Sequence, residues 1–173
     1  MSTSLYDISV ATYLQTLGAV SRYLDKGLTF CAEKGIDTSE IVEFKLFADM
    51  LPFRFQIVSV AHHSLGAVDG LKSGIFAPPH QTEPLDYRGL QKLVGDAILG
   101  LQGVTPVDIN AIEGREIVFR GRDREIPFTA ETFILSFSLP NFYFHATTAY
   151  DILRTKGVPL GKRDFMGNLR TKR

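Results

Sequence analysis

The chain has 173 residues, enough for one sizeable core and too few for two well-packed ones. Its 19 acidic and 19 basic residues balance, which argues against the positive field that a nucleic-acid binder needs. The single cysteine, Cys31, has no disulfide partner, no signal-type leader opens the chain, and no run of about 18 apolar residues occurs. One domain over residues 1–173 in a reducing, cytoplasmic setting is expected, with neither a nucleic-acid nor a membrane partner.

From Tyr6 to Phe30, apolar residues such as Val10, Tyr13, Leu17, Val20 and Leu24 recur at three- and four-residue steps, predicting a first long helix with Cys31 on its inner face and Gly35 as its stop. Asp37, Thr38 and Ser39 offer caps for a short helix over Glu40 to Phe47. Pro52 suits the first turn of a second long helix reaching about Leu71. There Phe55, Val58, Ala61, His62 and Leu65 form the apolar face, and His63 falls about a hundred degrees away, beside Ser59, Gly66 and Gly70. Small residues on that second face suit the close approach of another helix.

Ser73 to Pro84 has the prolines of a loop, and His80 lies in it. Asp86 caps a third helix carrying Leu90, Leu93, Val94, Ala97, Ile98 and Leu101, and Thr105 with Pro106 opens a single turn. Residues 115–120 and 124–129 then read as a β-hairpin around Gly121-Arg122-Asp123, with Pro127 confining the second strand to an edge. Thr129 caps the fourth helix, which kinks at Pro140 and closes at Gly157 and Pro159. The tail from Val158 to Gly167 has only Leu160 and Phe165 as anchors. The fold class expected is mainly all-α: a four-helix bundle with a small β-hairpin appended between the third and fourth helices.

No glycine-rich phosphate loop, CxxC pair, HExxH helix or GxSxG elbow is present. What remains is histidine on helices. His62 from the second helix and His145 from the fourth are candidates to meet on the bundle axis as an acid–base pair, with Tyr143 or Tyr150 polarising a substrate oxygen. A metal helix of the HxxxH kind needs histidine where Ala149 stands, so no metal ligand and no cofactor is assigned, and a divalent metal is the less favoured reading. Asp49 is a candidate oxygen ligand or helix cap, the cap being favoured.

The segments ADMLP (48–52), PNFYFHATTAYDILR (140–154) and GVPLGKRDFMG (157–167), with the opening SLYDISVATYLQTLG, resemble the uncharacterised domain-of-unknown-function family nineteen-ninety-three. That family is similar in fold to the DinB-like superfamily of metalloenzymes. The resemblance implies a DinB-like four-helix bundle and no agreed activity. In the DinB-like metal pattern one histidine comes from the second helix and two from the fourth; His62 or His63 matches the first, His145 one of the others, and Ala149 leaves the third empty. The reading favoured is a small-molecule-binding bundle, with isomerase, cyclase or lyase chemistry on a largely apolar substrate. Its alternatives are a non-catalytic ligand-binding or homodimeric module with structural histidines, and a DinB-like metal enzyme with an incomplete site.

Overall fold

The first apolar stripe becomes two helices rather than one. In the computed structural model, which describes residues 3–79 and 84–172, α1 (Leu5–Ile8) ends at Ser9 and α2 (Val10–Lys34) carries the rest. The Ser9 hydroxyl turns back onto the Leu5 carbonyl at 2.6 Å, which satisfies it in the break. Gly35 stops α2 in the left-handed conformation at φ 65°, as its place after Lys34 predicts. Asp37 caps α3 (Thr38–Val42), which ends well short of Phe47. Pro52 is the N-cap of α4 (Phe53–Ala61), and Asp49 caps nothing there, lying exposed in the preceding turn.

The second long segment is not a uniform α-helix. A π turn at His62–Gly66 joins α4 to α5 (Ala67–Ser73). The loop beyond it contains a strand, β1 (Ile75–Phe76), which periodicity could not reveal in two residues. Residues 80–83, His80 among them, lie outside the described residues. Asp86 accepts from the Gly89 amide at 2.7 Å and caps α6 (Tyr87–Gln102); Thr105 closes a capping box on α7 (Pro106–Asn110).

The expected hairpin is β2 (Glu116–Arg120) and β3 (Glu125–Thr129), antiparallel, with Val118 opposite Pro127. It is not a lone ribbon, because β1 pairs parallel with β2 and gives the order β1-β2-β3. Thr129 caps α8 (Ala130–Phe133), which runs through a second π turn, Ile134–Ser138, into α9 (Leu139–Thr155). The expected kink at Pro140 takes that form. Pro140 has no amide hydrogen for the Ser136 carbonyl, and the widened turn just ahead of it absorbs the mismatch without breaking the helix. The tail holds a further short helix, α10 (Lys162–Met166), where loose anchors were expected.

The fold is mainly helical with a small three-stranded sheet. α2 packs on α6 and α9, and α4 packs on α9 and α6, around one continuous apolar core. Cys31 is buried in it, and burial raises its thiol pKa, as fits a core residue.

Candidate site at the facing π turns

The two π turns touch. Ser138, at the end of the second, donates its hydroxyl hydrogen to the backbone carbonyl of His63 in the first, at 2.8 Å. That hydroxyl has one hydrogen, so the Tyr13 phenol, 2.7 Å from the same oxygen, is the donor in its own bond. Around the same turns, Asn141 Nδ2 reaches the Phe137 carbonyl at 2.7 Å and Ser64 Oγ the Val60 carbonyl at 2.7 Å. Side chains thus pick up carbonyls that widened turns leave poorly served.

These turns bring together a pair of imidazoles, though not the pair His62 and His145. The ring that stacks on His145 is His63, with centroids 5.9 Å apart and planes 18° from parallel. The reason is helical register. His63 lies seven residues after Gln56 and four after Ser59, both buried on the face that α4 turns to α9. The stripe of Val58, Ala61, His62 and Leu65, read as inward from its apolarity, instead lines a surface groove. His62 stacks on Phe76 at 4.5 Å and donates Nε2–H to the Ala77 carbonyl at 2.8 Å.

Hydrogen bonding fixes the tautomer of His145. Gln56 Nε2 donates to the Leu51 carbonyl at 2.8 Å, so its oxygen is the atom facing His145 Nδ1, also at 2.8 Å. Nδ1 therefore carries the hydrogen, and Nε2 presents a lone pair. His63 has the opposite polarity. Its Nδ1 is buried and without a partner among the described residues. A buried lone pair is more readily left unpaired than a buried N–H, so the hydrogen sits on Nε2. Neither Nε2 is buried in that way or hydrogen-bonded among the described residues, so both are open to water.

Burial pushes both imidazoles toward neutrality. It lowers His145 to about 4. It lowers His63 to about 3, with smaller contributions from the neighbouring imidazoles of His62 and His145. At neutral pH the pair is thus an uncharged acceptor beside an uncharged donor. Phe55 and Phe144 stand edge-on to His145 at 5.8 and 5.2 Å, and Phe144 is 57% exposed, so the acceptor opens onto an apolar rim.

Neither candidate tyrosine joins the pair. Tyr143 lies two residues from His145, on another side of α9, and is exposed against Phe142. Tyr150 packs edge-on between Tyr23 and Phe165, more than a turn away. His63, which the sequence places beside Ser59 and offers with His62 as the second-helix histidine, is the one that meets His145. Gln56 and Ser138 were not among the candidates, and the seven-residue step from Gln56 to His63 was the available signal.

The same residues do not fit a three-histidine metal centre. His63 and His145 occupy two of the positions that the resemblance implies, and fully buried Ala149 the third. Among the described residues no group of three His, Cys, Asp or Glu side chains is placed to hold an ion.

A family model described as a domain of unknown function (DUF1993) matches residues 5–166. Among solved structures, a DinB family member protein from Shewanella denitrificans is 26% identical, with a TM-score of 0.80 over 98% of this chain and 95% of that one. No curated protein matches the sequence. Among the described residues no helix is long and apolar enough to cross a membrane.

Proposed function

The chain belongs to the DUF1993 family, and on that premise we propose that it is a four-helix bundle that binds a small, largely apolar carbonyl compound and moves a proton on it, as an isomerase does. The observation that carries this reading is the opposed polarity of two neighbouring neutral imidazoles: a lone pair on His145 Nε2 and a hydrogen on His63 Nε2.

A carbonyl oxygen accepts from His63 Nε2–H while the substrate body lies on the rim of Phe55 and Phe144. His145 Nε2 removes a proton from the carbon beside the carbonyl; the C–H electron pair forms a C=C bond, and the carbonyl π pair moves onto the oxygen held by His63. Where a C=C adjoins that carbon, the enolate is a dienolate, and return of the proton to the far end of it completes an isomerisation with no net change in charge. Where none does, the proton returns to the same carbon and the reaction is exchange. Gln56 stabilises the transient imidazolium by accepting from Nδ1–H. A neutral donor suits this task because it needs no proton from water and stays in one form across neutral pH. His62 takes no part in the step, and its ring packs edge-on against His63 at 5.4 Å.

The test is exchange of α-hydrogens for deuterium in a panel of aryl and cycloalkyl ketones in D₂O, followed by proton NMR. The expected result is protein-dependent exchange that His145→Ala reduces by about 100-fold or more and His63→Ala reduces less. Its rate rises with pH through about 4, where the base deprotonates, and is flat around neutrality. Absence of exchange across the panel, or an unchanged rate in His145→Ala, overturns the reading.

A further inference from the structure

The stripe that carries His62 borders a groove of about 630 Å³, which neither His63 nor His145 lines. Its walls are apolar, formed mainly by Val58 and Leu65 from the second helical segment, Leu93 and Ala97 from α6, and Pro78 from the following loop. The size is that of a small-molecule site with a few polar groups in an apolar setting. Among the described residues three polar side chains reach it, His62, Asp69 and Asp96, and no lysine or arginine does.

Those three differ in what they have left to offer. His62 gives its Nε2 hydrogen to the Ala77 carbonyl, and the lack of a side chain at Gly66 leaves room for its ring, since a Cβ there would stand 3.1 Å from His62 Nδ1. Asp96 holds Lys92 at 2.6 Å. Asp69 makes no hydrogen bond or ion pair among the described residues. The groove therefore combines hydrocarbon walls with one uncommitted negative charge.

We propose that this groove binds an apolar amine, a small organic cation whose hydrocarbon body lies against Val58, Leu65 and Leu93 and whose ammonium pairs with Asp69. An anion of the same shape meets two carboxylates, and a neutral molecule leaves Asp69 unused. The site is separate from the His63–His145 pair, and the proposal stands or falls without the carbonyl reading.

The chain has no tryptophan, so naphthalene fluorescence is read without that background. Titration of the full chain with 1-naphthylmethylamine, 1-naphthalenemethanol and 1-naphthoate at low salt compares three charges on one body. The amine should bind about fivefold more tightly than the alcohol, as expected for a surface ion pair, with the acid weakest. Asp69→Asn, a surface change that leaves the core alone, should bring the amine to the level of the alcohol without altering the alcohol. Equal binding of amine and alcohol, an amine preference that survives in Asp69→Asn, or no saturable binding of any of the three overturns the proposal.

Discussion

Two groups of buried polar rings in this molecule are treated in opposite ways. Tyr13, Tyr23 and Tyr87 are sealed in the core, and each hydroxyl has a partner: Ser138 Oγ at 2.7 Å, the Ala146 carbonyl at 3.1 Å and the Leu24 carbonyl at 2.9 Å. Burial raises all three phenol pKa values, so these rings remain neutral donors that tie helices together. His63 and His145 lie where α4 and α9 face each other, yet one nitrogen is orphaned and two others open to water. Satisfied groups hold the architecture; unsatisfied ones cost stability and stay available for a ligand.

The largest expected effect comes from acid. Both imidazoles titrate near 6.5 when unfolded and at about 3 and about 4 when folded. The unfolded chain therefore binds up to two more protons in the intervening window, and stability falls as pH drops from about 6.5 toward 4. At about 1.4 kcal/mol per proton per pH unit, the two together amount to a loss on the order of 4 kcal/mol between about pH 6 and 4. Urea titrations of the wild type and of a His63→Leu/His145→Leu double variant isolate this part from the carboxylates, and curves of equal pH dependence would erase the contrast.

Tyr87→Ala follows, at about 4 kcal/mol, because it removes the ring stacked on Phe53 at 6.1 Å as well as the bond to α2. Denaturant midpoints measure it. Tyr23→Phe removes only the hydroxyl and should cost about 1 kcal/mol. His63→Leu should cost less than about 0.5 kcal/mol, or stabilise, because it deletes an unpaired buried nitrogen. A loss above about 2 kcal/mol there would place His63 with the tyrosines, among the groups that hold the fold.

Much of the helical framework was legible in the sequence because periodicity and caps are local. The stripe of α2, its stop at Gly35, and the caps at Asp37, Asp86, Thr105 and Thr129 all sit where residue chemistry puts them. The π turns were not legible, since one extra residue in a turn leaves no mark in composition. β1 escaped because two residues have no period and its partner lies more than forty positions away. The site was half legible. His145 stands out in the sequence by its aromatic setting, whereas the histidine beside it is His63 and not His62, which the rule that the more apolar face points inward favours. Here the more polar face does, because small and hydrogen-bonding residues let two helices meet, and the apolar face is left to the groove.

The three-stranded sheet also bears on aggregation. One edge is β1, only two residues long. The other is β3, where Pro127 has no amide hydrogen to offer and Glu125 pairs with Arg120. An incoming chain finds no row of free donors and acceptors on either side, so the sheet does not template its own growth into aggregates. The apolar surface around Phe144 can therefore stay open to a ligand without a sticky strand edge nearby to turn chance encounters into fibres.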